Sequence, residues 1–117
     1  PNLKGTWVGT GMSVRFQKGP EPDPNVHGMP KSGPQEVEFT VTVDKQDGFR
    51  FSGRKTSANH KEAIVGVIGF DNKTAYVVDH NGIEFWRIVS PDKVESVYLH
   101  TTKDDSVAAR GVLVRKR

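Results

Sequence analysis

Two residues near the centre of the chain, His60 and Glu62, have the types and spacing of a general acid–base pair. Residues two apart in an extended strand point to the same face, so this imidazole and carboxylate would face one substrate together. With Arg87 as a third polar group, they would suit an isomerase or cyclase acting on a lipid-like substrate. Such a pair is more often exposed at a hairpin, and no spacing in the chain requires catalysis. We therefore assign no catalytic residue.

The histidines lack the paired spacing that metal sites on strands usually show. They are His27, His60, His80 and His100. The chain has no cysteine, which excludes disulfides, thiolate chemistry and cysteine-ligated zinc. We therefore expect neither a metal site nor a cofactor.

Six aromatic residues are candidates for lining an interior ligand site. They are Trp7, Phe39, Phe51, Tyr76, Trp86 and Tyr98. Large aromatic side chains mainly fill cores, so Trp7 has the alternative role of a core plug. Phe85 and Trp86 are adjacent on one strand and point to opposite faces, so one of the two faces outward.

Charged residues on strands with apolar neighbours on both faces are candidates for the interior. They are Arg50, Glu62, Glu84 and Arg87. A buried charge needs a partner or a ligand, because desolvation is costly. The alternative for each is a solvated position on the outer face.

The elements that position these residues follow from evenly spaced turn signals. Signals such as Asp47-Gly48, Asn81-Gly82 and Pro91-Asp92 recur roughly every 10 to 13 residues after residue 35. Short runs rich in Val, Ile, Thr, Tyr and Phe lie between them, and Val37 to Val43 alternates with polar residues as a half-buried strand does. The pattern predicts one all-β domain over residues 1–117, an up-and-down antiparallel meander barrel of about eight strands.

Residues 17–34 differ from the rest of the chain in composition. This segment holds five of the seven prolines and almost nothing to pack. Proline cannot donate to a strand ladder, so we expect a long loop that is either a lid over one barrel mouth or disordered.

The opening Gly5-x-Trp7, followed by eight strands, resembles the calycin group, which includes lipocalins, fatty-acid-binding proteins and avidins. The resemblance implies that Trp7 closes one barrel end and that an arginine of the last strand packs over it. Arg110 or Arg115 would be that arginine, and stacking of a guanidinium on an indole is favourable in itself.

The avidins can be compared residue by residue. Leu3-x-Gly5-Thr6-Trp7 is similar to their opening, and Ser13 falls where a biotin-contacting serine would lie. The chain departs from the avidin pattern at Gly9, where an asparagine normally binds the ureido oxygen, and Trp86 is the only later tryptophan. We therefore do not expect biotin as the ligand.

Partner expectations come from one strand and from the charge balance. Ala63–Phe70 is apolar on both faces except for Gly66 and Gly69, which favours a homodimer interface on its outer side. The net charge of +3 is modest and is matched by the last three residues alone, so a nucleic-acid partner is not expected. The basic-aromatic run around Phe49 and Phe51 lacks the second aromatic strand that base stacking would need.

No segment has the apolar length of a membrane span, and a start at Pro1 favours a secreted or periplasmic protein whose leader has been removed. A barrel that binds a small apolar or amphipathic molecule in its interior is the first hypothesis. The second is a non-catalytic interaction module with a filled barrel and a homodimer interface, and the barrel enzyme ranks third.

Overall fold

A computed structural model describes residues 1–17, 35–58, 60–103 and 105–117 of the chain. Its elements are eight strands: β1 (Gly5–Gln17), β2 (Gln35–Asp47), β3 (Arg50–Ser57), β4 (Lys61–Ile68), β5 (Thr74–Val78), β6 (Gly82–Ser90), β7 (Lys93–Thr101) and β8 (Asp105–Arg115). The expected proline-rich loop lies, from residue 18 onward, outside the described residues.

Each strand pairs antiparallel with the next in the chain, and β8 pairs with β1 to close the barrel. The closing register runs from Trp7 opposite Arg115 to Gln17 opposite Asp105. The up-and-down meander predicted from the turn spacing is confirmed, and the eight strands form one closed, all-antiparallel barrel. Among the described residues there is no helix of the length and apolarity needed to cross a membrane.

The turns form where the sequence signals them. Gly48, in the β2–β3 turn, has φ +61°, a left-handed conformation that glycine adopts without steric cost. In the β5–β6 turn, the Asp79 carboxylate accepts hydrogen bonds from the N–H groups of Asn81 and Gly82 at 2.9 and 2.6 Å. Asp79 therefore caps this turn, a role in which aspartate is common.

One end of the barrel is filled with apolar side chains, and we call this the closed half of the lumen. Trp7 and Trp86 are fully buried there, and the rings of Phe51 and Trp86 stack with centroids 5.6 Å apart. Aliphatic side chains from β2, β4, β5, β7 and β8 complete the cluster: Val41, Val43, Ile64, Ile68, Ala75, Val77, Val94 and Leu113. Burying each large side chain contributes roughly 1.5–3 kcal/mol, so this half provides most of the hydrophobic stability.

The N-terminal segment covers the closed half from outside. Leu3 is 1% exposed, and its carbonyl accepts a hydrogen bond from Trp7 Nε1 at 2.9 Å. The guanidinium carbon of Arg115 lies 4.3 Å from the Trp7 ring centroid, and its N–H groups donate to the carbonyls of Lys4 and Asn2. The arginine expected over Trp7 is thus Arg115, whereas Arg110 is exposed on the outer face.

The outer face of the barrel has two parts of different chemistry. On β2 the outward positions are polar or acidic, and on β3 Arg54 pairs with Asp44 of β2 at 3.2 Å. On β4 to β7, by contrast, valine, isoleucine, leucine and aromatic side chains face outward and are 40–55% exposed. Arg50 and Arg87, which were candidates for the interior, are also outside. They pair with Asp47 and Glu95 at 2.6 and 3.2 Å, so for both residues the alternative of a solvated position on the outer face holds.

Candidate functional site

We call the other end of the lumen the open half. The inward-facing positions of the strands continue into it, but the residues at these positions are mostly polar or small. The open half lies at the end of the barrel where β1, β3, β5 and β7 end and where β2, β4, β6 and β8 begin. Its inward-facing residues include Gly11, Ser13, Val37, Phe39, Lys55, Glu62, Glu84, Tyr98, His100, Ala109 and Gly111. Polar and small residues therefore replace the apolar packing of the closed half.

One wall of the open half is recessed because its inward residues are small. On β1 and β8, Gly11 lies opposite Gly111 and Ser13 lies opposite Ala109, and all four are half-buried. Val37 of β2 also faces inward, yet it is 36% exposed. This side chain is therefore accessible to solvent although it faces inward.

The floor of the open half is an ion pair that crosses the lumen. Lys55 of β3 reaches Glu84 of β6, three strands away, with its Nζ 3.1 Å from Oε2. The Glu84 side chain is 2% exposed and that of Lys55 is 17% exposed. In such surroundings the attraction between the two charges is much stronger than at a solvated surface.

Glu84 is held in place by two further donors. Its Oε1 accepts hydrogen bonds from Ser96 Oγ at 3.0 Å and from Trp86 Nε1 at 3.4 Å. The Trp86 indole belongs to the closed half, so it fixes the carboxylate to the rigid core below. Glu84 thus presents one oriented oxygen, Oε2, to the amine of Lys55.

Two aromatic rings flank the amine. Lys55 Nζ lies 4.2 Å from the ring centroid of Tyr98 and 5.1 Å from that of Phe39. Both distances fall within the range of cation–π attraction. Tyr98 can approach this closely because Gly82 faces it, and a Cβ at position 82 would lie 2.6 Å from the tyrosine ring.

A chain of hydrogen bonds leads from Tyr98 to the rim of the barrel. Tyr98 Oη lies 2.9 Å from His100 Nδ1, and His100 Nε2 lies 2.9 Å from Asp105 Oδ1. Asp105 also accepts from Thr102 Oγ1 at 3.0 Å and pairs with Arg15 at 2.9 Å. The hydrogen bond from His100 is the main reason why the pKa of Asp105 is below its usual range.

The protonation of this chain follows from its partners. In the tautomer that carries its proton on Nε2, His100 donates to Asp105, and its Nδ1 accepts the phenol proton of Tyr98. Burial raises the pKa of Tyr98 well above its ordinary value, and the carboxylates of Asp79 and Glu62 raise it further. The phenol therefore stays protonated, as the hydrogen bond to His100 requires.

A second carboxyl group at the rim has a perturbed pKa. Burial raises the pKa of Glu62, and a hydrogen bond with Asp79 and the charge of that residue add to the effect. His80 Nδ1 lies 3.9 Å from Glu62 Oε1, whereas His60 is exposed. Glu62 thus interacts with Asp79, His80 and Lys55. Among the described residues, no three carboxylate or imidazole groups are grouped as a metal site would need.

The six aromatic candidates are distributed over three environments. Phe39 and Tyr98 lie in the open half beside Lys55, and Trp7, Phe51 and Trp86 pack in the closed half. Tyr76 does not line the lumen: it is 45% exposed on the outer face, and its inward neighbour is Ala75. Ala75 pairs with Trp86, and both side chains are fully buried.

Sequence reasoning named Glu62 and Glu84 as candidates for the interior, with a solvated outer face as the alternative, and the structure places both inside. It missed Lys55, His100 and Asp105. The alternation on β3 contained a signal, since Lys55 lies four residues after the buried Phe51 and so shares its face. For His100 and Asp105 the separation along the chain gave no comparable signal, because the β7–β8 hairpin brings them together.

A groove of about 800 Å³ lies outside the lumen, at the closed end. It runs between the N-terminal segment and the β6–β7 turn, and Arg115 is the cation with most hydrogen bonds in it. This guanidinium already donates to the carbonyls of Asn2, Lys4 and Pro91. The guanidinium of this groove is therefore already engaged by backbone carbonyls of the protein itself.

Comparisons with known proteins add little to this geometry. No protein-family model matches the chain, and a search of curated proteins finds no match. Among solved structures, the chain is similar to the S-type phycobiliprotein lyase CPES from Guillardia theta. The two share 10% sequence identity with a TM-score of 0.49, over 98% of this chain and 89% of the lyase chain.

Proposed function

We propose that this barrel binds one small amphipathic molecule in the open half of its lumen. The observation that carries the proposal is the contrast within the lumen: a packed apolar half below and a partly exposed, polar-floored half above. Eight-stranded barrels have room for side chains and at most one modest ligand. Because the closed half is already packed, the ligand would occupy the open half alone.

The lining suggests how such a molecule would lie. Its apolar part would pack against the recessed wall of Gly11 and Ala109 and against the partly exposed Val37. Its polar group would meet the floor, where Lys55 and Tyr98 offer a cation and a phenol. Apolar walls with a few oriented polar groups are the usual composition of a ligand site.

Two adjacent alanines provide a matched test. Ala109→Leu adds bulk to the recessed wall, whereas Ala108→Leu adds the same bulk on the outer face of the same strand. The probe is 2-naphthalenemethanol, a small amphipathic alcohol whose fluorescence changes on burial. We expect the wild type and Ala108→Leu to bind the probe with similar affinity. Ala109→Leu should bind it at least roughly tenfold more weakly. Equal binding by all three proteins would contradict a lumen site.

A second candidate function is homodimer formation through the apolar outer face, which one observation favours. Eight exposed apolar side chains form two continuous cross-strand rows over β4 to β7. The rows are Val65, Val78, Ile83 and Leu99, and Val67, Tyr76, Phe85 and Val97. An uninterrupted apolar surface of this kind usually marks an interface.

Light scattering after size exclusion tests the dimer. Val78→Glu places a charge in the centre of the apolar rows, and Thr56→Glu places the same charge on the outer face of β3 as the control. A dimer mass for the wild type and Thr56→Glu, with a monomer mass for Val78→Glu, would support the interface. A wild type that stays monomeric across the working concentration range would contradict the proposed interface.

A further inference from the structure

The Lys55–Glu84 pair is not explained by what it contributes to stability. Taking two charges out of water costs about as much as their attraction returns, and an apolar pair of similar size often stabilises a core equally well. The closed half shows that this barrel can fill its lumen with apolar side chains. The retention of an amine at the floor of the open half therefore calls for a chemical reason.

The charge balance of the floor selects the kind of ligand group that fits. Glu84 Oε2 already lies 3.1 Å from Lys55 Nζ, and the negative charge of the carboxylate neutralises the positive charge of the amine. A carboxylate or phosphate brought to the same amine would also lie close to the buried Glu84 carboxylate, and the two like charges would repel. A neutral carbonyl group meets no such repulsion. The floor therefore favours an aldehyde or ketone over an anion.

Lys55 is also chemically distinct from the other lysines of the described chain. It is half-buried, whereas Lys4, Lys45, Lys61, Lys73, Lys93, Lys103 and Lys116 are exposed. Its amine has an oriented carboxylate on one side and aromatic rings on others. Within the part of the chain that the structure describes, this is the one amine enclosed by a lumen.

We propose that Lys55 holds a carbonyl ligand covalently, as a Schiff base with an aldehyde or ketone, with Glu84 as its counter-ion. The inference rests on the proposed ligand-binding function and names the chemical class of the ligand. A protonated Schiff base keeps the positive charge of the amine. The attraction to Glu84 and to the rings of Phe39 and Tyr98 is therefore preserved after the bond forms, which would not hold for an uncharged amide.

The reaction balances with the groups present. The Lys55 ammonium first gives one proton to Glu84, and the free amine attacks the carbonyl carbon as the C=O electron pair moves to oxygen. A proton passes from nitrogen to that oxygen, which gives a neutral carbinolamine. Glu84 then returns its proton as the C–O bond breaks, water leaves, and the nitrogen lone pair forms the C=N bond. The product is a protonated Schiff base beside an ionised Glu84, and no oxidant or reductant takes part.

The test is reductive trapping with a matched set of probes. The folded protein is incubated with 2-naphthaldehyde and cyanoborohydride, and the modified lysines are located by peptide mapping over a time course. We expect Lys55 to be modified roughly tenfold faster than the exposed Lys73 and Lys93, because the site holds aldehyde and amine together. The alcohol 2-naphthalenemethanol should slow the modification of Lys55 only, and 2-naphthoate should compete less well than the alcohol.

Two variants control for folding and for chemistry. Lys55→Arg keeps the positive charge opposite Glu84 but forms no Schiff base under these conditions, so it should lose the fast modification while its thermal unfolding stays close to wild type. Glu84→Gln keeps the amine but removes the group that exchanges the proton, so modification of Lys55 should slow severalfold.

The outcomes separate the two proposals. Modification spread evenly over exposed lysines would overturn the Schiff-base inference, as would persistence of the fast phase in Lys55→Arg. If the alcohol binds in the lumen but the aldehyde leaves Lys55 unmodified, the inference fails and the proposed function stands. If neither probe binds the lumen, both fail.

Discussion

The two halves of the lumen are built by the same eight strands and the same alternation, yet they have different physical roles. In the closed half, buried tryptophan, phenylalanine and aliphatic side chains fill the space. In the open half, the same inward register carries Lys55, Glu84, Tyr98 and His100 beside a wall of small residues. Alternation decides which residues face inward, but the height along the barrel decides whether they pack or remain available.

The halves are joined at one point, and that point shows how one supports the other. Trp86 stacks on Phe51 in the closed half and donates through Nε1 to Glu84 in the open half. The packed half thus holds a polar group of the candidate site in one orientation. A site resting on a rigid core is better positioned than one built on loops.

The largest effect should come from breaking the closed half. Trp86→Ala removes a fully buried indole, its stacking on Phe51 and one donor to Glu84. We expect a loss of about 3–5 kcal/mol in the free energy of unfolding, measured by urea denaturation. The neighbouring Phe85→Ala is the control, since Phe85 is 40% exposed on the outer face and should cost much less. Similar costs for the two would mean that the closed half is not the main source of stability.

The next effect concerns the floor of the open half. Glu84→Gln leaves Lys55 without its counter-ion, and we expect a loss of about 2–3 kcal/mol in unfolding free energy. The double variant Lys55→Met/Glu84→Gln removes both charges and should recover at least half of that loss. Glu95→Gln, which breaks the exposed pair with Arg87, should cost under about 1 kcal/mol. If the double variant recovered none of the unfolding free energy that Glu84→Gln loses, the two charges would not be coupled.

A smaller effect is expected where the closed end is covered. Arg115→Lys loses the planar group that stacks on Trp7 and donates to several carbonyls, so it should lower unfolding free energy by about 1 kcal/mol. Arg110→Lys, on the outer face of the same strand, should change it by less than about 0.5 kcal/mol. Thermal unfolding of the two variants side by side measures the difference, and equal shifts would mean that stacking contributes nothing.

The smallest expected effects are the pH-dependent contributions of two rim carboxyl groups, Asp105 and Glu62, to folding stability. These two contributions change with pH in opposite directions. The pKa of Asp105 is lowered in the folded state, so its stabilisation is present above the ordinary value of 3.8 and is lost as the pH falls through the folded value. The pKa of Glu62 is raised, so stability is lost as the pH rises from the ordinary value of 4.5 through the folded value.

Denaturation from about pH 7 to about pH 2 separates these two carboxyl groups. Asp105→Asn should be less stable than wild type near neutrality, with a difference that closes at low pH. Glu62→Gln should have a higher free energy of unfolding than the wild type near neutrality and the same free energy of unfolding at low pH. Parallel pH profiles for wild type and both variants would show that neither carboxyl group is coupled to folding.

Much of the fold could be predicted from the sequence because its signals are local. Turn residues such as Asp47-Gly48 and the alternation of Val37 to Val43 depend only on neighbours along the chain, and they predict strand number and order. The stacking of an arginine on Trp7 could also be predicted, because barrel closure makes the first and last strands neighbours. The choice of Arg115 over Arg110 required the register of β1 on β8.

The candidate site was predicted less well, and Tyr76 shows why. On β5 both faces are apolar, so the local pattern gives no preference between Ala75 and Tyr76 for the interior. In the structure Ala75 faces the lumen, paired with the buried Trp86, and Tyr76 is exposed on the outer face. Competition for interior volume between strands is not visible in either strand alone.

By itself, the sequence determined the strand count, the meander order and the aromatic plug at Trp7. These depend on turn chemistry, period-two alternation and the high cost of exposing large apolar side chains. Only the tertiary structure decided that Lys55 meets Glu84 across the lumen and that Tyr98, His100 and Asp105 form one hydrogen-bonded chain. Contacts across a lumen depend on barrel closure and register, and a shift of one residue would exchange the inner and outer faces.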